Sequence, residues 1–349
     1  MKRRLREFLK TVVQRLAWSS GLPQQLVRLE QQLASVQPQL ASIQQQLASV
    51  QQQADSVHQR LDFPHIFSLR KIVNETTSAS QGLQVLLSLH YKELASRGLP
   101  LPELCSTEFR CFSQNGEDGL LLYLFSLIGT TNKKAVEICA GDGVECNIAN
   151  LVINHGWEGL MFDGDEDSIQ RGKEFFARCQ DTFSKTPTLV SAWITVDNVN
   201  ALIADLGFTG NIDLLSLDMD GVEHWIWKAL TAIAPRAVIL EFNPAWGPDL
   251  SVSIPYKSDF QIDYSKRPYY CGASLSAWVK LGRQKGYRLV GVQRLGFNAI
   301  FLRSDVGAGL FPEISPAECF QGNQTLQKWH SGWIPSTTER PEWGEVVEI

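Results

Sequence analysis

Near the C-terminal end of the chain two apolar runs, Tyr287–Val292 and Phe297–Arg303, are separated only by Gln293–Gly296. A gap that short makes an antiparallel hairpin and leaves no room for a crossover. Upstream, from about residue 106, the short apolar runs are Ala135–Cys139, Gly159–Asp163, Thr188–Trp193, Ile212–Asp218 and Ala237–Phe242, with helical segments between them. That alternation predicts a mainly parallel sheet covered by helices. The expected fold is therefore α/β, with five parallel strands and a terminal antiparallel hairpin. A hydrophobic share of 44% allows a sizeable core and excludes a disordered or collagen-like chain.

The N-terminal part follows another rule. Leu22, Leu26, Leu29, Leu33, Val36, Leu40, Ile43, Leu47, Val50, Ala54, Val57 and Leu61 recur at alternating spacings of four and three. A heptad sustained this long predicts a coiled coil over 22–62 and self-association through it. Leucine at a with mostly β-branched residues at d favours a trimer or tetramer. Ahead of it, residues 1–20 carry six basic side chains against Glu7 alone. Leu5, Phe8, Leu9, Val12 and Leu16 form an apolar stripe there, with Trp18 at one end, which suits a basic amphipathic helix on an anionic membrane surface. A helical connector fills 63–105, with its helix from about Ser68 to Arg97. The α/β domain spans 106–312, and a tail rich in Trp and Pro spans 313–349 and is expected to pack on the domain or on a neighbouring subunit.

Net charge is −5, so bulk electrostatics exclude a nucleic-acid partner. Seven scattered cysteines without a C-x-x-C pair argue for reduced thiols and a cytoplasmic protein. No stretch resembles a membrane span or a signal peptide.

A ligand of such a sheet sits at the carboxyl ends of the strands, at the switch between the first and fourth. The turn there is Glu137-Ile138-Cys139-Ala140-Gly141-Asp142-Gly143. Glycines admit a close ligand, and a dinucleotide is the natural competitor. A pyrophosphate wants a neutral or basic helix start. Here Asp142 lies in the turn and Glu145 near the expected helix start, both repulsive to a diphosphate. S-adenosylmethionine, with a sulfonium and an ammonium, suits these acids better. Asp163 ends the second strand, where an acid can accept both ribose hydroxyls; Asp165 or Asp167 is available to cap the helix that follows.

Four motifs carry a family resemblance. They are Phe112-Ser113-Gln114-Asn115-Gly116-Glu117-Asp118, the Glu-x-x-x-Gly-Asp-Gly turn, Gly156–Leu160 leading into Phe162-Asp163-Gly164-Asp165, and Asp213–Gly221. In that order the chain resembles the FkbM-type methyltransferases over roughly residues 110–303. The resemblance implies a class I methyltransferase Rossmann-like sheet, S-adenosyl-L-methionine as cofactor, and methyl transfer to hydroxyls of sugars or polyketide-like products. Cys139 stands where that family usually has glycine, and Asp220 where it commonly has glutamate. The candidate cofactor contacts are then Glu117, Glu137, Gly141, Asp142, Gly143, Asn147, Asp163, Gly164 and Asp165.

Methyl transfer needs alignment and a deprotonated acceptor. Asp218 ends the fourth strand, and Asp220, Glu223 and His224 follow it. Glu241 and Asn243 share a face of the fifth strand, beside Asp218. Asp218, Glu241 and Asn243 form an oxygen-only set suited to Mg²⁺, which lowers a hydroxyl pKa. His224 is the metal-free base, giving Asp218, Asp220 and His224 as catalytic candidates. His155 has a weaker case. The stretch Pro244–Pro268 reads as a lid, and Tyr269 and Tyr270 are placed to stack on an acceptor sugar. The expected activity is O-methyl transfer to a sugar, glycan or glycolipid-linked hydroxyl. The competing readings are a non-catalytic coiled-coil scaffold with a cofactor-binding module, and an NAD-dependent sugar-modifying enzyme.

Overall fold

The computed structural model describes residues 66–267, 270–333 and 344–349. The basic segment 1–20, the heptads of 22–62 and Tyr269 lie outside the described residues. Contacts divide the chain after Ser78, and Ala79–Ile349 fold around one sheet.

Its strands are β1 (Lys134–Ile138), β2 (Glu158–Asp163), β3 (Thr188–Ser191), β4 (Gly210–Leu217), β5 (Ile233–Glu241), β7 (Tyr287–Val292) and β8 (Asn298–Arg303), while β6 (Val252–Ser253) and β9 (Val347–Glu348) form a separate pair. The order is β3-β2-β1-β4-β5-β8-β7. Strands β1 to β5 run parallel, and β8 is antiparallel to both β5 and β7. The hairpin thus inserts its second strand beside β5, as the four-residue gap demands. This is the α/β sheet expected from the sequence, with each strand boundary displaced by a few residues at most; β5 starts four earlier, at Ile233.

Both faces of the sheet are buried, so its central strands are almost continuously apolar. Val136, Ile138, Leu160, Phe162, Leu215 and Leu217 enter one core. It is covered by α5 (Val199–Asp205), α6 (Glu223–Ala229) and α7 (Leu275–Gln284) through Ile203, Ile226, Trp227, Trp278 and Leu281. Ala135, Met161, Leu214, Ala237 and Ile239 enter the other. There α2 (Glu117–Ile128), α3 (Ala149–His155) and α4 (Glu166–Phe176) pack with Leu120, Leu124, Leu151, Val152, Ile169 and Phe176.

Helix α1 (Ile66–Ser96) matches the connector helix to within two residues. It docks on α3 through buried amides: Gln84 Nε2 donates to Asn150 Oδ1 at 3.1 Å, and Asn150 Nδ2 returns a bond to Gln84 Oε1 at 2.9 Å. The tail packs on the domain. Phe320 of α8 (Pro316–Gly322) and Leu326 of α9 (Gln324–Trp333) are buried, and β9 pairs with β6. No described helix is long and apolar enough to cross a membrane.

One contact sets how closely α4 approaches the turn after β1. A Cβ on Gly172 would lie 2.1 Å from the Asp142 carbonyl oxygen and 2.4 Å from Leu189 Cδ2. Gly172→Ala must push the helix off the turn, and overpacking of this kind costs about 1–3 kcal/mol. Urea unfolding should show that loss, and a variant as stable as the parent would contradict the close approach.

Candidate active site

The turn after β1 is built from residues that accept left-handed backbone. Cys139 (φ 64°), Gly141 (φ 58°) and Gly143 (φ 72°) all have positive φ. That conformation costs a side-chain-bearing residue such as Cys139 free energy and suits glycine. A Cβ on Gly143 would meet Met161 Sδ at 2.6 Å, whereas one on Gly141 would meet nothing within 4 Å. Gly143 is therefore needed for packing, and Gly141 leaves its backbone open to a ligand.

The helix after this turn begins at Ala149, four residues later than the expected start near Glu145. The cause is Glu137. Its carboxylate accepts N–H bonds from Asn147 (3.0 Å) and Ile148 (2.9 Å) and the Ser216 hydroxyl bond at 3.1 Å. Asn147 Nδ2 also donates to Ser216 Oγ at 3.1 Å. Glu137 and Asn147 therefore brace the turn from inside the sheet and do not face a ligand, contrary to their assignment from the sequence. Helix starts attract phosphates through free N–H groups. Here a buried carboxylate holds the two N–H groups just ahead of the helix, those of Asn147 and the cap residue Ile148.

Asp163 ends β2 beside the turn. Its Oδ2 accepts the Gly141 N–H at 2.7 Å, and its Oδ1 accepts the Asp165 N–H at 2.8 Å. Asp165 is the cap of α4, accepting from the Asp167 and Ser168 N–H groups. These bonds and the Ser168 hydroxyl hold its pKa below the usual carboxylate range. Both acids are thus engaged by backbone N–H groups, Asp163 at the strand end beside the glycine turn and Asp165 at the start of α4. Asp142 Oδ1 accepts the Val144 N–H at 2.9 Å, and a Cβ on Gly164 would run into the Trp193 ring at 2.9 Å. Glu117 is fully buried, with Oε2 on the Asn115 N–H and Oε1 on Asn298 Nδ2. It braces a loop and offers no contact to a cofactor. Two other motif acids are likewise structural: Asp118 gathers the N–H groups of Cys111, Phe112 and Ser113, and Asp213 pairs with Arg236 at 2.9 Å.

At the ends of β4 and β5 the chain gathers carboxylates. Asp218, Asp220 and Glu241 each place an oxygen within 4.8 Å of the others. Asp220 holds left-handed backbone (φ 51°). Glu223 closes the turn, with Oε1 accepting from Met219 N–H (3.0 Å) and Gly221 N–H (2.6 Å), while its buried Oε2 has no hydrogen-bond partner. Among the described residues no lysine or arginine forms an ion pair with any of the four. Burial and mutual repulsion then favour protonated forms. Asp218 is pushed up to about 7, by burial first and then by Asp220 and Glu223. Glu223 also rises to about 7, mainly by burial, and Glu241 is raised well above its ordinary value by burial and Asp218. The thiols of Cys139 and Cys271 are raised too, by burial and by these same acids. The Tyr264 hydroxyl, on the lid, has its pKa raised by burial and then by the nearby Asp220.

Two expected members are elsewhere. Asn243 lies past the end of β5, where Oδ1 caps the turn Pro244–Trp246 through the Ala245 N–H and Nδ2 donates to the Cys271 carbonyl. Asp220 takes its place in the oxygen cluster. His224 is 1% exposed, with its ring centroid 5.4 Å from that of Trp225 and 5.3 Å from that of Trp278. Burial lowers its pKa to about 4, so an aromatic core residue replaces the expected base. Its neighbour Glu223 is the helix residue turned towards the acids. His155 is bonded to Gln84 at 2.7 Å. Tyr270 is half-buried on the lid and donates its hydroxyl to the Glu345 carbonyl.

No family model matches the chain, and no curated protein matches it. Solved structures that align with it include magnesium protoporphyrin IX methyltransferase (ChlM) from Synechocystis PCC 6803 with bound SAM, at 13% identity over 49% of this chain and 69% of that one, with a TM-score of 0.30. Another is the glycopeptide N-methyltransferase MtfA complexed with S-adenosyl-L-homocysteine, at 12% identity over 57% of this chain and 95% of that one, with a TM-score of 0.35. Superpositions this loose add no weight, and the α/β assignment stands on the strand order.

The raised carboxyl pKa values have a consequence for stability. Asp218 and Glu223 bind protons more tightly folded than unfolded, so the stability they contribute is fully present at low pH and is lost as pH rises from about 4 through about 7. The buried His155 and His224, lowered to about 4, act with the opposite sign, so the test is the difference between variant and parent. Asp218→Asn removes part of the cost. In chelator and without ligand, its Tm relative to the parent's should be higher at pH 8 than at pH 5, and a difference that does not change with pH would refute the raised Asp218.

Proposed function

We propose that the chain is an S-adenosylmethionine-dependent O-methyltransferase that modifies a hydroxyl of a sugar or of a glycan- or glycolipid-linked acceptor. The observation that carries this reading is the carboxylate cluster beside an open glycine turn, which no lysine or arginine among the described residues pairs with. Glu223 Oε2, buried without a partner, adds to the demand for positive charge. A cationic donor fits that demand, and a phosphorylated coenzyme does not. When bound, the donor supplies an electrophilic methyl group on a sulfonium.

The chain's own residues do the remaining work. Asp163 accepts hydrogen bonds from the donor's ribose, and Gly141 allows its backbone to lie against the donor. Asp218, poised near neutrality, takes the proton that the acceptor hydroxyl must lose as its oxygen bonds to carbon. Asp220 and Tyr264 lie where an acceptor entering under the lid would be held. Asp218, Asp220 and Glu241 are also a hard oxygen set that fits Mg²⁺, which when bound would lower the pKa of an acceptor hydroxyl. The heptads would gather three or four such domains, and residues 1–20 would hold them on an anionic membrane in the cytoplasm.

Calorimetry should give S-adenosylmethionine binding and none with NAD; the reverse result sinks the proposal. Asp163→Ala should weaken donor binding about 10–100-fold, the scale of lost bonds to a charged group. Excess chelator separates the two routes to a deprotonated acceptor: full activity leaves Asp218 as base, and lost activity restored by Mg²⁺ favours the metal. A chain that binds donor but methylates no acceptor would instead fit the scaffold reading.

A further inference from the structure

The lid between Pro244 and Gly272 is pinned from several sides. Trp225 Nε1–H donates to the Ile254 carbonyl at 2.8 Å, and Trp193 Nε1–H to the Ser258 carbonyl at 2.6 Å. Val196 N–H donates to the Tyr256 hydroxyl at 3.2 Å, and Gly272 N–H to the Gly221 carbonyl at 2.9 Å. So anchored, the lid forms an open cavity of about 400 Å³ between its own residues. That volume is within the range of small-ligand pockets.

Two aromatic rings line it, Phe260 and Tyr270, with centroids 6.3 Å apart and planes inclined by 59°. Phe260 ties the cavity to the acids, since a Cβ on Gly221, next to Asp220, would lie 2.6 Å from its ring. Tyr264, from the same stretch of lid, is near enough to Asp220 for that acid to raise its pKa, after burial. Phe260 thus stands between the cavity and the turn that carries Asp220.

Its charge has the opposite sign. Asp263 is engaged by Lys266 at 3.3 Å and by the Ser265 hydroxyl at 2.6 Å. Lys257 and Arg267 also line the cavity and have no ion-pair partner among the described residues, leaving Asp259 as the one acid to offset them. The Arg267 guanidinium lies 5.6 Å from the Tyr270 ring centroid, so it is already held against the wall. Aromatic faces next to free cations suit a sugar ring that carries an anion.

We propose that this cavity is the acceptor subsite and that it selects an acidic sugar, one bearing a carboxylate or a phosphate. The proposal rests on the methyltransferase reading above only for the fate of the bound sugar. Lys257 and Arg267 hold the anionic substituent, Phe260 and Tyr270 take the ring, and the repulsion between the anion and the cluster turns a hydroxyl edge towards Asp220. No sequence signal marked Lys257 or Phe260, because the loop that brings them together has no periodicity.

The test is donor-free calorimetry on the full chain. The probes are a glucuronate-containing tetrasaccharide, its carboxyl-reduced neutral counterpart, and glucose 6-phosphate against glucose. The acidic member of each pair should bind at least tenfold more tightly, with the advantage shrinking as salt rises. A preference confined to one pair identifies carboxylate or phosphate as the recognised group. Lys257→Ala with Arg267→Ala, both exposed positions, should abolish the preference while S-adenosylmethionine affinity stays unchanged. Equal binding of acidic and neutral probes, no binding of either, or a preference that survives the double substitution overturns the subsite. Acidic-sugar binding without donor binding would count against the methyltransferase reading alone.

Discussion

Glu137 is the interaction on which the site depends. It projects from the middle of the sheet, is wholly surrounded by protein, and holds the backbone of Asn147 and Ile148 as well as the Ser216 hydroxyl of β4. One carboxylate thereby joins two central strands to the helix that follows the glycine turn. Burial raises its pKa and those N–H bonds lower it again, so its net cost to the fold is limited by what it holds. The N–H groups just ahead of the helix are thus taken up from inside the sheet, and the same bonds fix the turn.

The second constraint is repulsion. Asp218, Asp220, Glu223 and Glu241 are brought to one strand edge by the parallel β4–β5 pairing, in which Leu217 lies opposite Leu240. Burial and repulsion raise the pKa of Asp218, Glu223 and Glu241, and two N–H groups are directed at Glu223. Left-handed backbone at Cys139 and Asp220 borders the same space, so backbone strain and electrostatic strain coincide there.

Much of this was legible in the sequence, for definite reasons. The hairpin followed from the length of Gln293–Gly296, and the parallel strands from apolar runs that burial on both faces requires. The place of Asp163, at the end of β2 beside the glycine turn, followed from the same strand pattern. What failed depended on atoms that no pattern encodes. Glu137 read as a ligand contact, because nothing in its neighbours announces that Asn147 and Ile148 fold back onto it. The pleat correctly pairs Glu241 with Asn243, but Pro244 ends the strand and turns the amide onto Ala245. Glu223 and His224 are adjacent on a helix, and which one faced the acids depended on Trp225 and Trp278 enclosing the imidazole.

Cys139 and Cys271 give the arrangement a further meaning. A sulfur nucleophile is more readily alkylated than a sugar hydroxyl, and it attacks as the thiolate. A pocket that handles an activated methyl group while lined by two thiols would risk modifying itself. Burial first, and the acids that would attract a positive donor second, hold both sulfurs in their unreactive, protonated state. Chemoselectivity would then come from exclusion of water together with the field that draws the donor, and such a pocket would be shielded from its own reagent.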